Sequence, residues 1–424
     1  MNTLKSKKQI NTTKRWNWMT MFFIGILAIG IASCEKKEET TSDGQEIETA
    51  WVISYYDQLP TGRIWYMDVH ETLPAKVDKS TGVEIGLNAQ VYDYDGHPFT
   101  INPDAKTITK WNVDSSTLEI SVDGILSFAS TGLSNNGKLA FVSSTAAFLH
   151  DVNEGIIVEF NPTTMEITTT HKITPLNPSA IVASANSWNT KVKNGKLLLP
   201  IAWYPSVCCE YPKPLYATVA VFDPSTGLID YKEDTRSVGL DSYGLVSDEN
   251  GILYGTPGRV NSMLKKYYNL DTNSFPGVNT LLKFNENGTW DSDFKIDLTE
   301  VIPSLNIFTG ASFIYQNKMA FIYSDSELDE SFDNRWNFYN HPSTFHSVIL
   351  DLNTLEVQSF TQFDDYTSVI LLNHLDNVNY FRSNGEGNSD GVGVSRILKQ
   401  NSIDDYGIFS EIEGGSFTHL GKLW

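Results

Sequence analysis

The chain has 424 residues, with 51 acidic against 31 basic side chains and a net charge of −20. That excess excludes a nucleic-acid-binding surface and a basic membrane-docking face. Its three cysteines, two of them the adjacent Cys208 and Cys209, cannot assemble a zinc site at ordinary ligand spacing.

In chain order, the first element is a leader. Lys5, Lys7, Lys8, Lys14 and Arg15 precede an apolar run over 18–33, short for a bilayer span and flanked as in a secretory signal peptide. The run closes in Ile31-Ala32-Ser33-Cys34, where small residues ahead of a cysteine suit the narrow cleft of a lipoprotein signal peptidase. These four residues resemble a bacterial lipobox. The resemblance implies removal of 1–33, lipidation of Cys34 and anchoring through that lipid. Loss of the leader, which carries five basic residues and no acidic one, takes the net charge from −20 to −25. Residues 34–49 then form a flexible acidic tether. Within it, Glu35-Lys36-Lys37-Glu38-Glu39 resembles a Lys-acidic export signal that sends some Gram-negative lipoproteins to the outer face of the outer membrane. The periplasmic leaflet is the alternative.

From residue 50 to 424 the chain reads as strands: short alternating runs of Val, Ile, Thr, Tyr and Phe between Asn/Asp/Gly turns, with no amphipathic helical period. Two turn types recur. The first is an Asn-Gly-like hairpin at Asn135-Asn136-Gly137-Lys138, Lys193-Asn194-Gly195-Lys196, Asp248-Glu249-Asn250-Gly251 and Tyr315-Gln316-Asn317-Lys318. The second follows an apolar strand, as in Phe160-Asn161-Pro162-Thr163-Thr164, Phe222-Asp223-Pro224-Ser225-Thr226-Gly227 and Leu350-Asp351-Leu352-Asn353-Thr354. Turns of the second type repeat at intervals of roughly 50 to 65 residues, which with four strands per unit predicts a β-propeller. Units are expected to begin near Gln90, Leu126, Ser187, Asp241, Thr309 and Thr367. Residues 50–87 supply only three strands (51–56, 63–69 and 83–87), while 417–424 is one too many. The reading is therefore all-β: a single propeller of seven four-stranded blades, with the C-terminal strand completing the first blade and removing its open edge.

In such blades the turns joining strands one to two and three to four share one rim, and both short turn types fall there. Insertions expected on the other rim are 57–62, 144–155, 205–216, 257–279, 324–346 and 383–393, which marks it as a binding face. Their chemistry is aromatic with interspersed cations, suited to a flat anionic or aromatic ligand. The candidate ligand-binding residues are Arg63, Trp188, Trp203, Tyr204, Tyr211, Arg259, Arg335 and Trp336. In an oxidising compartment Cys208 and Cys209 can close a strained vicinal disulfide that stiffens their loop; two free thiols or a link to another protein are the alternatives. Asp325, Glu327 and Asp329 lack the glycine and terminal glutamate of a calcium loop, and His341 and His346 are unpatterned for zinc. No metal site, cofactor or catalytic set emerges, so the chain reads as a binding protein and not an enzyme.

Lipobox, tether and blades opening on a three-stranded partial unit resemble the propeller lipoproteins that sit on the outer membrane beside TonB-dependent receptors. The resemblance implies capture of a small ligand, most concretely a ferric siderophore, and its transfer to such a receptor. The rival classes are a propeller enzyme (lyase, hydrolase or quinoprotein) and a protein–protein scaffold of an outer-membrane complex.

Overall fold

The computed structural model describes residues 47–59, 62–134, 137–174, 181–185, 190–205, 216–248, 250–258, 277–315, 317–325, 345–363, 366–376, 378–385, 394–402 and 405–424. All lie in the second of two compact units, Glu46–Trp424.

The strands sort into seven antiparallel sheets. Blade 1 takes β1 (Trp51–Leu59), β2 (Gly62–His70) and β3 (Val83–Gly86) from the start of the chain. Blade 2 is β4 (Gln90–Tyr94), β5 (His97–Asn102), β6 (Thr107–Val113) and β7 (Ile120–Ser127); blade 3 is β8 (Lys138–Ser143), β9 (Ala146–Asp151), β10 (Ile156–Asn161) and β11 (Glu166–Lys172). In blade 4 the first strand comes in two pieces, β12 (Ile181–Ala185) and β13 (Lys191–Lys193), both paired to β14 (Lys196–Pro205), with β15 (Ala217–Asp223) and β16 (Leu228–Asp234) outside them. Blade 5 holds β17 (Leu240–Ser247), β18 (Leu253–Pro257), β19 (Thr280–Phe284) and β20 (Trp290–Asp297). Blade 6 holds β21 (Ile307–Tyr315), β22 (Lys318–Ser324), β23 (Phe345–Asp351) and β24 (Val357–Phe363). Blade 7 is β25 (Tyr366–Leu375), β26 (Val378–Gly385), β27 (Val394–Ser402) and β28 (Asp405–Glu413). The last strand, β29 (Gly415–Lys422), returns to blade 1 and pairs with β1, giving the order β29-β1-β2-β3.

Alternation along each strand turns seven sheets into a ring. Successive side chains point to opposite faces, so every sheet packs on both neighbours. In β9, Phe148 packs toward blade 4 with Leu199 and Phe222, whereas Ala147 and Leu149 pack toward blade 2 with Phe99 and Leu126. Each interface between consecutive blades carries its own apolar cluster: 1–2, 2–3, 3–4, 4–5, 5–6, 6–7 and, closing the circle, 7–1. This is the expected seven-bladed propeller closed by its C-terminal strand.

The closure of the ring is reinforced twice over. Ala50 donates to the Trp424 carbonyl (3.3 Å), Leu423 donates to the Ala50 carbonyl (2.8 Å), and His419 of β29 pairs with Asp93 of blade 2 at 2.8 Å. Gly421 makes room for that pair, since a Cβ there would stand 2.4 Å from Asp93 Oδ1. Residues 71–82, between β2 and β3, cross to the outer edge of blade 7. There Val77 donates to the Glu411 carbonyl (2.8 Å) and Glu411 to that of Ala75 (3.0 Å), covering an edge strand that would otherwise be open.

One unit differs from expectation. The first strand of blade 3 is β8, starting at Lys138, and not a strand near Leu126; residues 120–127 pair with β6 as the outer strand of blade 2. Asn135 and Asn136 lie outside the described residues, and the tight turn of blade 3 is instead Ser143-Ser144-Thr145-Ala146, a sequence with neither Asn nor Gly.

Candidate functional site

The plain rim is built from the two turn types. Asn194 and Gly195 have φ of 52° and 73°, and Asp95 and Gly96 of 50° and 75°, the left-handed pairs that a two-residue hairpin needs. The second type is held by its leading side chain: Asn161 Oδ1 accepts from the Thr163 amide (2.8 Å), Asp223 Oδ1 from that of Ser225 (3.0 Å), and Asp351 Oδ1 from those of Asn353 (2.9 Å) and Thr354 (3.0 Å). At Asp114 four such bonds from Ser116 and Thr117 pull the carboxyl down to about 2.

On the opposite rim elaboration is confined to half the ring. Blades 4 to 7 carry the long connections between second and third strands, most of whose residues lie outside those described. Blades 1 to 3 are trimmed. Of 57–62 only 60–61 falls between strands, because β1 and β2 run on as a projecting hairpin. The 144–155 stretch contains β9 and leaves only 152–155 at this rim. The one long connection on the plain rim is 71–82, which the sequence reading did not single out.

Arg63 lies within β2, opposite Gln58 and exposed near the tip of that hairpin, and not at the end of a loop. Its Nε donates to Gln58 Oε1 (2.9 Å) and its guanidinium sits 4.5 Å from the centre of the Tyr56 ring, which in turn packs on Trp65 at 5.6 Å. The hairpin register explains this stack: Gln58 lies opposite Arg63, and Tyr56 opposite Trp65, so all four share one face. No carboxylate pairs with Arg63 among the described residues. Tyr56 and Trp65 escaped the sequence reading, although their alternate spacing from Gln58 and Arg63 was the available signal. Trp203 and Tyr204 end β14 opposite Ala183 and Val182 in blade 4, three blades from Arg63, so these candidates do not converge. Trp188, Tyr211, Arg259, Arg335, Trp336, Cys208, Cys209 and Cys34 lie outside the described residues.

Two further groups face inward or open at the elaborated rim. Lys138, heading β8, donates to Gln90 Oε1 (2.8 Å), which also accepts from the Tyr92 hydroxyl (3.0 Å). Opposite it in register stands His150, fully buried, its Nδ1 without a partner and its Nε2 3.5 Å from Thr190 Oγ1. Burial lowers Lys138 to about 8; burial and the nearby Lys138 lower His150 to about 3. Burial works against charge on both, but at neutral pH only His150 is held neutral, while Lys138 keeps its proton and donates it to Gln90. Between blades 5 and 6, a cleft of about 430 Å³ opens beside the crossing that follows β20. His346 Nε2 there meets Asp325 Oδ2 at 3.1 Å, and its ring stacks on Tyr323 at 4.9 Å. Among the described residues no group of three or more His, Cys, Asp or Glu is arranged to hold a metal ion. Nor is any described helix long and apolar enough to cross a membrane.

These features define a closed, antiparallel seven-bladed β-propeller with one plain and one half-elaborated rim. No protein-family profile matches the chain. No curated protein matches it in sequence. Solved structures resemble it in shape: hydrazine synthase of Kuenenia stuttgartiensis (11% identity, TM-score 0.45, covering 76% of this chain and 85% of that one); the β-propeller domain of the Trilobed protease of Pyrococcus furiosus (11%, 0.41, 85% and 94%); and apo AztD of Citrobacter koseri (11%, 0.42, 88% and 98%). None is close enough to lend its activity to this chain, and the fold stands on the sheet order itself.

Proposed function

We propose that this chain is a lipid-anchored propeller of the outer membrane, facing the cell exterior, that captures a small ligand on its elaborated rim and passes it to a TonB-dependent receptor. A ferric siderophore is the most concrete ligand. The observation that carries this reading is Arg63: an exposed guanidinium stacked on Tyr56, without a carboxylate partner among the described residues, on the rim that carries the long connections of four blades. In a chain of net charge −20 an unpaired cation on an aromatic platform is a local attraction for an anionic, ring-bearing ligand.

The first described residues are tied to the propeller itself. Ile47 donates to the Ser115 carbonyl (3.1 Å) and accepts from the Trp424 indole (2.8 Å), both at the plain rim. Tryptophan fluorescence titrations with ferric catecholate, hydroxamate and carboxylate complexes test the ligand. A saturable change is expected for at least one, weakened roughly 3- to 30-fold by Arg63→Ala, as loss of a cation–π contact implies. No saturable change with any class would refute the assignment. The anchor is tested separately: wild-type protein in cells should incorporate labelled palmitate and Cys34→Ala should incorporate none, whereas equal labelling rules the lipid out.

A further inference from the structure

We infer that the cleft between blades 5 and 6 is a subsite for a ring-sized, mainly apolar group that ends in a hydrogen-bond acceptor, a phenolate or carboxylate on an aromatic ring. The inference rests on reading the elaborated rim as the ligand face and names one place on it. Its volume of about 430 Å³ lies within the range of small-molecule pockets. Ile302, Pro303 and Val357 supply apolar wall, and Pro303, Tyr323 and His346 present ring surfaces, which favour an aromatic ring over an alkyl chain.

The polar end is set by two hydroxyls. Ser304 Oγ and Tyr323 Oη stand 3.2 Å apart, and either can donate to the other. One proton suffices for that bond, so the pair keeps a second donor for an acceptor arriving at the mouth, where Ser304 is exposed. Asp325 meanwhile fixes the ring of His346. The site is assembled by register, since Tyr323 lies directly opposite His346 between β22 and β23, while the crossing between β20 and β21 brings Ser304 over them. Asn306 Nδ2 donates to the Asp325 carbonyl (2.7 Å) and ties the crossing to the end of β22.

The test uses the full mature chain, 2,3-dihydroxybenzoate as probe and cyclohexanecarboxylate as a non-planar control, read by isothermal titration. Wild type is expected to bind dihydroxybenzoate saturably and the control at least tenfold more weakly. Ser304→Trp, which fills the mouth from an exposed position, should weaken dihydroxybenzoate at least tenfold with an unchanged melting temperature. No binding by wild type, equal binding by Ser304→Trp, or equal binding of the control overturns the subsite. A ferric siderophore that binds wild type and Ser304→Trp alike removes the subsite and leaves the rim as ligand face. Loss of dihydroxybenzoate in Ser304→Trp, with no ferric complex bound by wild type, keeps the subsite and removes the siderophore.

Discussion

A chain ending at Gly414 is expected to lose cooperative folding altogether. β29 is the innermost strand of blade 1 and pairs with β1 from Trp51–Lys422 to Asp57–Gly415. Its Phe417 and Leu420 are completely buried in the cluster between blades 7 and 1, and Leu423, just beyond it, is buried between blades 1 and 2. Each such side chain is worth about 1.5–3 kcal/mol on burial. Truncation also strips the Trp424 bonds to Ala50 and Ile47 and leaves Asp93 without His419. The edge of β1 is then left unpaired, with no covalent link from blade 7 to close the gap. These losses together rival the roughly 5–15 kcal/mol that holds a whole domain folded. Circular dichroism on 1–414 should show strand signal without a cooperative melt, with dye-accessible apolar surface; a melt at the wild-type temperature would mean that the other six interfaces hold the ring unaided.

That closure was legible in advance because it depends on counting strands: three at the start, one too many at the end. The turns were legible where a side chain or φ value dictates the residue, as at Asn194-Gly195 and Asp223. Blade 3 was misjudged for the same reason in reverse. Its first turn runs through Ser144 and Thr145, whose conformation demands no special residue. The outer strand before it exposes Val122 and Ile125, so their apolar character mimicked an inner strand. Clustered functional residues were harder to see. Arg63 declared itself by type, but Tyr56 and Trp65 join it only through a register set at 60–61, a stretch read as loop. Asp325 and His346 sit at the two ends of one long connection, and only the pairing of β22 with β23 brings them together. Alternate spacing along each strand hints at the first group once the hairpin is placed, but spacing along the chain carries no trace of the second.

Acid should destabilise this propeller through His150 as pH falls below about 6.5. His150 is a base whose folded value, about 3, lies below the ordinary 6.5, because burial and the neighbouring Lys138 oppose its charge. Above pH 6.5 it is neutral in both states and its contribution is complete. As pH falls below 6.5 the unfolded chain takes up a proton that the folded chain refuses, and stability drops by up to about 1.4 kcal/mol per pH unit until about pH 3. Between pH 6.5 and 5 the loss amounts to roughly 1.5–2 kcal/mol. Lys138, lowered only to about 8, stays protonated throughout that window, so its repulsion is constant. Asp151, whose carboxyl burial pushes upward, works in the opposite sense. The quantity to compare is therefore a difference: urea unfolding free energies of wild type and His150→Gln at pH 6.5 and 5. Gln cannot titrate, so the variant should lose roughly 1.5–2 kcal/mol less over this interval, whatever its absolute stability. Parallel pH profiles would show that water or a breathing motion lets His150 take its proton inside the folded ring.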